Sequence, residues 1–311
     1  MRIVVVGARG QLGAAVVHDL STSPQRHDVV PLTRHEVDVT DDRAVARAIE
    51  LARPDAIVNC TAYNQVDAAE DHPVEALTHN AFAVRALARA AERARAALVH
   101  FGSDFVFDGM TTTPYTEDAR PNPLSAYGAS KMLGEWFALD APRGYVLRVE
   151  SLFGRAPDGP PPKGSVAGLV KGLLAGSSPP VFVDRTVTPT YVIDGARATR
   201  LLLESSAVPG VYHCVNSNAC TWQEFGYEAA RLLGVEAKLT PVKVADVTLR
   251  ARRPQFCALS NDKLRRAGIE MPTWQDALAR YVRSVVVPRP PAPSGPSGAT
   301  RGSPNVGDSR V

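Results

Sequence analysis

An apolar strand that runs directly into three spaced glycines is the feature that most constrains this chain. Residues Arg2–Val6 read RIVVV, Gly7, Gly10 and Gly13 follow at once, and a helix is predicted over Gln11–Leu20. Glycines permit a tight turn and a close approach of the backbone to a pyrophosphate, and the helix N-terminus offers unpaired N–H groups. This order predicts a dinucleotide-binding site, with an ordinary structural turn as the alternative.

The first 154 residues alternate short apolar runs with longer Ala/Leu/Arg-rich segments. Strands that are apolar throughout are typical of a parallel sheet covered on both faces. The alternation predicts an α/β fold with a doubly wound parallel sheet of the Rossmann type. Further strands are predicted at Asp28–Leu32, Asp55–Asn59, Ala97–Phe101 and Tyr145–Val149, and further helices at Asp42–Ala52, Pro73–Arg95 and Ala126–Leu139.

The rhythm of strands and helices breaks after Gly154. Residues Arg155–Ser165 read RAPDGPPPKGS and predict a loop, because prolines and glycines interrupt regular structure. Residues 155–287 return to helices and strands and predict a small C-terminal substrate-binding subdomain, interleaved with the last elements of the dinucleotide-binding core over 1–154. Residues 288–311 hold six Pro, four Gly and four Ser, which predicts a disordered tail.

Charge and composition exclude several classes of protein. Lys and Arg number 35 against 32 Asp and Glu, without a dense basic block, so nucleic acid is not an expected partner. The sequence has no apolar run of about 18 residues, so we expect no membrane span. The four cysteines are Cys60, Cys214, Cys220 and Cys257. They form no CxxC motif and have no histidines at a spacing suited to zinc, so we expect no metal site. We also expect no disulfide framework and a cytoplasmic location.

The segment after the second strand bears on the cofactor. An acidic residue about 20 positions beyond the glycines would bond the adenosine ribose of NAD, but the strand ends at Thr33 and Arg34. An arginine can instead pair with the 2′-phosphate of NADP, so NADPH is the expected cofactor and NADH the alternative. A solvated loop arginine is the other interpretation of Arg34. Asp38 and Val39 are expected beside the adenine, although Asp38 is also a candidate N-cap of the next helix, less suited than Thr40 or Asp41.

Three residues suggest catalysis of carbonyl reduction. Tyr127 and Lys131 lie four apart on a predicted helix and therefore share a face. Ser103 comes just after a buried strand, at the edge where open α/β sheets bind ligands. A nearby ammonium lowers the pKa of a phenol, so Lys131 is expected to activate Tyr127 as a proton donor while Ser103 polarises the carbonyl. An ordinary amphipathic helix with a half-buried tyrosine is the alternative.

With these residues the chain resembles the dTDP-4-dehydrorhamnose reductase family of extended short-chain dehydrogenases/reductases. GQLG beside the first helix and SDFVFDG followed by PLSAYGASK are far more specific than a glycine fingerprint alone. The segments that carry the resemblance are IVVVGARGQLG (3–13), RPDAIVNCTAYNQVDAAE (53–70), GSDFVFDG (102–109), PYTEDARPNPLSAYGASKMLGE (114–135), FVDRTVTPTYVID (182–194) and RRPQFCALSNDKL (252–264).

The resemblance implies roles for individual residues. Tyr127 would be the catalytic acid, Lys131 its partner and a ribose ligand, and Ser103 and Asp104 would contact the sugar. The reaction implied is reduction of the 4-keto group of dTDP-4-dehydro-L-rhamnose by NADPH or NADH. The further residues expected to touch the cofactor are Gly10, Gln11, Leu12, Asp38, Val39, Ala62, Tyr63, Asn64 and Phe101.

Departures from the family pattern leave alternatives open. Residues Arg148–Gly154 read RVESLFG where the family reads RTSWVYG, so Ser151 replaces an aromatic residue expected against the sugar. A reductase of a different nucleotide keto-sugar is one alternative. The other is a non-catalytic regulatory subunit, as in the beta subunit of methionine adenosyltransferase. The arginine stripe of Val84–Arg95 predicts a solvated face, with a homodimer contact as the alternative.

Overall fold

The computed structural model of the chain describes residues 1–286, so the tail predicted over 288–311 lies outside the described residues. Among residues 1–286, no helix combines the length and the apolar character that a bilayer crossing requires.

The strands are β1 (Arg2–Val6), β2 (Asp28–Leu32), β3 (Ala56–Asn59), β4 (Ala97–Ser103), β5 (Gly144–Val149), β6 (Pro180–Phe182), β7 (Thr186–Val187), β8 (Gly210–His213), β9 (Cys220–Thr221) and β10 (Thr240–Val242). The α-helices are α1 (Gln11–Thr22), α2 (Asp42–Ala52), α3 (Ala68–Asp71), α4 (Pro73–Leu77), α5 (Ala83–Ala94), α6 (Ala126–Leu139), α7 (Ser165–Leu174), α8 (Val192–Glu204), α9 (Trp222–Leu233), α10 (Asp262–Arg266) and α11 (Trp274–Val286).

Six strands form the central sheet in the order β2-β1-β3-β4-β5-β8. Every neighbouring pair in this sheet is parallel. The direction of winding reverses between β1 and β3, and in open α/β sheets the crevice at such a reversal, outside the carboxyl ends of the strands, binds ligands. The predicted α/β fold with a doubly wound parallel sheet is confirmed.

The residues of β1 explain why this strand is apolar throughout. Side chains alternate across a strand: Ile3 and Val5 pack into the apolar cluster that contains α1 and α8 residues. Val4 and Val6 pack into the cluster on the opposite face, with α2 and α5 residues. Both faces of the strand are therefore covered, and a polar residue at any of these four positions would be buried without water.

The chain beyond residue 155 builds a second apolar core and also extends the central sheet. Phe225 lies in the middle of this core, with ring centroids 5.8 Å from Phe153, 5.8 Å from Trp222 and 5.4 Å from Trp274. Helices α7, α9 and α11 contribute to the same cluster. Yet β8 pairs with β5 in the main sheet, and α8 packs on the first core. The division at residue 154 stays a prediction.

One helix departs from the prediction. The sequence predicts a continuous helix over Pro73–Arg95, whereas the structure has α4, a π-helical turn at Thr78–Phe82, and α5. The π-helical turn contains Asn80, which is fully buried: its Oδ1 accepts from the Tyr63 N–H at 2.8 Å, and its Nδ2 donates to Ser130 Oγ at 3.0 Å. A π turn lets this side chain point inward, and helical periodicity does not reveal such distant partners.

We expect Gly134→Ala to destabilise the protein, because α6 lies directly against the π-helical turn. A Cβ at Gly134 would lie 2.0 Å from the Asn80 carbonyl oxygen, and overpacking of this kind costs about 1–3 kcal/mol. The measurement is the free energy of unfolding by urea denaturation. Gly168→Ala in α7 is the matched control, since its Cβ meets nothing within 4 Å and alanine favours a helix by about 1 kcal/mol. Equal unfolding midpoints for the two variants would contradict the tight contact.

Candidate active site

The glycine-rich turn forms one wall of the crevice at the end of β1. Gly7 has a φ of +80°, a region that favours glycine, and its N–H donates to the Leu32 carbonyl oxygen at 2.8 Å. A Cβ at Gly13 would lie 2.2 Å from the Gly7 carbonyl oxygen, so only glycine permits this packing. Gly10 is the N-cap of α1. The N–H groups of the first turn have no acceptor within the helix and can therefore bind an anion.

The other predicted cofactor residues follow neighbouring strands at the same edge of the sheet. Gln11 also ties this edge together, since its Nε2 donates to the Gly154 carbonyl oxygen at 2.7 Å. Leu12 is buried under the turn. The remaining residues lie at or after the carboxyl ends of β2, β3 and β4, and the contacts of the whole set with a cofactor stay predictions. The set consists of Arg34, Asp38 and Val39 after β2, Ala62, Tyr63 and Asn64 after β3, and Phe101 within β4.

A carboxylate that the sequence analysis missed stands at the end of β2. Glu36 accepts from the Thr33 N–H at 2.7 Å and from the Thr33 hydroxyl. These hydrogen bonds lower the pKa of Glu36, and the positive charge of Arg9 lowers it further. The exposed Arg34 lies between Thr33 and Glu36 in the chain. The pattern T-x-x-E is the signal that could have indicated it, because a threonine and a glutamate three apart often bond each other.

Asp38 does not cap the next helix. Its Oδ1 accepts from the Thr40 N–H at 2.9 Å and from the Thr40 hydroxyl at 2.7 Å. The N-cap of α2 is Asp41, which accepts from the N–H groups of Arg43 and Ala44. Of the two roles considered for Asp38, the capping role is therefore excluded.

Ser103, Tyr127 and Lys131 are buried together at the carboxyl end of β4. Ser103 ends the strand, and Tyr127 and Lys131 occupy the buried face of α6, as their spacing predicts. Lys131 Nζ donates to the Phe101 carbonyl oxygen at 2.6 Å. The Tyr127 ring packs edge-on against Phe105, with 5.4 Å between ring centroids. The structure thus unites three residues from two elements in one place.

Burial dominates the ionisation of this trio. It raises the pKa of Tyr127 above its ordinary value, with a further rise from the Asp104 carboxyl and an opposing effect of hydrogen bonding with Ser103. Burial lowers the pKa of Lys131 to about 8, opposed by Glu135. The spacing of four residues predicts that Lys131 depresses the pKa of Tyr127, whereas in the structure the Lys131 ammonium group donates to the Phe101 carbonyl oxygen. Tyr127 therefore keeps its proton, as an acid catalyst requires.

A buried polar cluster lies behind Ser103. Ser103 Oγ donates to Asp104 Oδ1 at 3.0 Å. Atoms of Asp104, Glu150 and Cys257 lie within 4.8 Å of one another, and Arg185 Nη2 donates to Cys257 Sγ at 3.2 Å. Burial raises the pKa of Asp104 to about 6 and that of Glu150 to about 8, and the neighbouring Asp104 carboxyl raises the latter further.

The sequence analysis assigns Asp104 to the substrate but gives no role to Glu150, Arg185 or Cys257. The one available signal was Glu150 itself, a carboxyl directly after the apolar run that forms β5. The next residue, Ser151, is half-buried and has a φ of +45°, which is uncommon for serine. Its predicted contact with the substrate stays a prediction.

Comparisons with known proteins agree with this geometry. Residues 1–287 match the family model described as the RmlD substrate binding domain. The chain is 33% identical over 304 residues to a dTDP-4-dehydrorhamnose reductase of Burkholderia thailandensis, covering 92% of this chain and 99% of that protein. It is 34% identical over 282 residues to a probable dTDP-4,6-dihydroxy-2-methyloxan-3-one 4-ketoreductase of Streptomyces antibioticus, covering 89% and 93%. A solved dTDP-4-dehydrorhamnose reductase of Bacillus anthracis in complex with NADP superposes with a TM-score of 0.83 and 29% identity, covering 91% of this chain and 99% of that chain.

Proposed function

Because this chain belongs to the RmlD substrate binding domain family, we propose that it reduces dTDP-4-dehydro-L-rhamnose to dTDP-L-rhamnose with NADPH. The observation that carries the proposal is the burial of Tyr127, Lys131 and Ser103 together at the sheet edge beside the glycine turn. The resemblance found in the sequence is confirmed by the family match and by relatives that carry the reductase name. The chain is accordingly an oxidoreductase.

The glycine turn fits a nicotinamide dinucleotide. A side chain at Gly13 would collide with Gly7, and the backbone is therefore open where a pyrophosphate has to approach. The N-terminal N–H groups of α1 would hold the pyrophosphate, Arg34 the 2′-phosphate, and Lys131 the nicotinamide ribose. NADPH, when bound, supplies the hydride that adds to the keto carbon.

The chain's own residues supply the proton and the polarisation. The Ser103 hydroxyl donates a hydrogen bond to the keto oxygen and draws electron density from the carbonyl carbon. As the carbon accepts the hydride, the oxygen becomes an alkoxide and takes the phenolic proton of Tyr127. The phenolate left on Tyr127 is stabilised by the Lys131 ammonium four residues along the same helix face. The products are the alcohol and the oxidised cofactor.

The end of β2 sets the preference between NADPH and NADH. Arg34 favours the 2′-phosphate because a guanidinium binds phosphate through charge-assisted hydrogen bonds. The ionised Glu36 carboxylate on Thr33 repels a phosphate and can accept from a ribose hydroxyl instead. Because Arg34 attracts the 2′-phosphate and Glu36 repels it, we expect the protein to prefer NADPH and also to use NADH.

A different nucleotide keto-sugar is the second candidate substrate. Ser151 stands where the family has an aromatic residue, and the Streptomyces antibioticus relative bears the name of another 4-ketoreductase. The two candidates share the hydride chemistry and differ in the contacts made to the sugar ring.

Self-association is a further proposal. Phe82 is 39% exposed, Trp136 56% and Leu139 38%, and all three lie on α6 or the π-helical turn that precedes α5. Large exposed apolar side chains so close together are typical of contact surfaces. In such a homodimer the arginine stripe of Val84–Arg95 would lie at the contact with the second copy. In the alternative interpretation the stripe faces solvent.

The direct test is NADPH oxidation with enzymatically prepared dTDP-4-dehydro-L-rhamnose, followed as loss of NADPH absorbance, with NADH in parallel. We expect turnover with both cofactors and the faster rate with NADPH. Absence of turnover, with NADPH still bound in a separate titration, would contradict the proposed substrate. The same assay with other dTDP-4-keto-6-deoxy sugars would then distinguish another reductase from a regulatory subunit, for which affinity capture should recover a partner enzyme.

We expect Tyr127→Phe to lower kcat by at least about 10²-fold, the usual contribution of a general acid. Phenylalanine keeps the ring contact with Phe105 and removes only the acidic hydroxyl. The Kd for NADPH should stay near the wild-type value, as measured by fluorescence titration. Tyr227→Phe is the control, because Tyr227 is 50% exposed on α9. A fully active Tyr127→Phe protein would exclude the proton transfer described above.

Arg34→Ala and Glu36→Gln should move the cofactor preference in opposite directions. Removing the Arg34 guanidinium should raise the KM for NADPH about 5- to 10-fold more than that for NADH, the equivalent of roughly 1 kcal/mol. Glu36→Gln should lower the KM for NADPH relative to NADH. The measurement is kcat/KM with each cofactor at low ionic strength. Equal losses with both cofactors in Arg34→Ala would show that the arginine has only a structural role.

A further inference from the structure

Two carboxyl groups are buried together immediately behind Ser103. Asp104 is 3% exposed and Glu150 is 1% exposed, and an oxygen of each lies within 4.8 Å of the other and of Cys257 Sγ. Asp104 follows β4 and Glu150 follows β5, and these strands are neighbours in the sheet. The parallel register therefore brings both acids to the edge at which Ser103 ends its strand.

Within residues 1–286, Arg185 is the cation that acts on both carboxyl groups of this pair, and its guanidinium is 9% exposed. Arg253 also interacts with Asp104, but its Nη2 donates to a third carboxylate, Asp67 Oδ2, at 2.7 Å. Three carboxylates against two guanidiniums would leave a negative charge unbalanced where water is largely excluded. A pair of like charges in such a site retains one proton.

The remaining titratable groups that face the pair do not supply the missing charge. They are the thiols of Cys257 and Cys220 and the phenol of Tyr127. Burial raises the pKa of each of them, so all three stay neutral. The net charge around the pair therefore depends on how the two carboxyl groups beside Arg185 are protonated.

The hydrogen bonds of Glu150 involve only one of its two carboxyl oxygens, so a proton can bind to the other. Its Oε2 accepts from the Thr188 N–H at 2.6 Å and from the Thr188 hydroxyl at 2.7 Å. Its Oε1 is buried and has no hydrogen-bond partner among residues 1–286. A bare oxygen on a buried carboxylate is costly, and a proton on this oxygen removes the cost.

We propose that Asp104 and Glu150 share one proton at neutral pH, and that the Ser103 hydroxyl becomes free for the substrate when this proton resides on Asp104. In the structure the hydroxyl donates to Asp104 Oδ1 at 3.0 Å. A hydroxyl has one proton to donate. An ionised Asp104 holds that proton in a strong charge-assisted bond, whereas a protonated Asp104 does not compete for it. Glu150 is thus a positioning residue that acts through Asp104, and its role rests on the proposed reduction.

The first experiment measures the shared proton without any assay of activity. Thermal unfolding is followed between about pH 5 and pH 9 for the wild type and Glu150→Gln. A carboxyl whose pKa rises from 4.5 unfolded to about 8 folded stabilises the fold below pH 4.5 and loses this contribution as pH rises to about 8. The wild-type Tm should therefore fall by roughly 8 °C relative to Glu150→Gln across this range. Parallel Tm curves would overturn the shared proton.

The second experiment measures the positioning role. With NADPH and dTDP-4-dehydro-L-rhamnose, wild-type kcat/KM should fall as pH rises through the titration of the pair. Glu150→Gln should keep only the part of this decline that deprotonation of Lys131 causes, since the pKa of Lys131 is about 8, and should show a kcat about 10-fold lower at neutral pH, with an unchanged Kd for NADPH. Glu150→Asp keeps a carboxyl and should restore the decline. A wild-type pH profile in Glu150→Gln would overturn the positioning role.

Controls separate the remaining explanations. Glu50→Gln makes the same chemical change at an exposed site on α2 and should leave both the Tm curve and the pH profile unchanged. A saturable rise of the wild-type Tm with Zn²⁺, absent from Glu150→Gln, would overturn the shared proton in favour of a metal ion held by Asp104, Glu150 and Cys257. Failure of the wild type to turn over the sugar would contradict the proposed function alone, because the Tm curves still decide the shared proton.

Discussion

The polar attachment of α6 to the central sheet is the constraint on which the rest of the site depends. Lys131 bonds the Phe101 carbonyl, and one turn further along Glu135 accepts from the Arg148 guanidinium through two nitrogens, at 2.8 and 3.1 Å. Both charged groups of this ion pair are buried, and removing one partner would leave an uncompensated charge at a cost of about 3–5 kcal/mol. Helix α6 therefore cannot slide along β4 and β5, and Tyr127 keeps its place beside Ser103.

Exclusion of water accounts for the chemistry as much as for the stability. In the same buried region a phenol keeps its proton, an ammonium becomes easier to deprotonate, and two neighbouring carboxyl groups cannot both ionise freely. Each of these effects has the same cause, the cost of charge in an environment of low polarity. The site thus holds its protons in the resting protein, where a reductase needs them for the oxygen of its substrate. At the end of β2, by contrast, Glu36 is exposed and its hydrogen bonds with Thr33 keep its pKa low.

The local features of the chain were readable before the fold was known. Continuous apolar runs indicated strands covered on both faces, the glycine turn indicated the crevice at β1, and a spacing of four placed Tyr127 and Lys131 on one helix face. The prediction failed where a residue depends on distant partners. Asn80, in the π-helical turn, has hydrogen-bond partners that lie 17 and 50 residues away in the chain, and the apolar periodicity of Pro73–Arg95 does not reveal them.

The sequence by itself determined the doubly wound sheet, the family and the candidate trio of Ser103, Tyr127 and Lys131, because strand burial, turn geometry and helix spacing are each set by residues close together in the chain. Only the tertiary structure decided which polar and charged side chains are buried next to Ser103. Asp104, Glu150, Arg185 and Cys257 come from four separate segments, and the two acids meet because the neighbouring parallel strands β4 and β5 end at the same edge. Ionisation of a buried group depends on everything that surrounds it in space, and spacing along the chain does not contain that information.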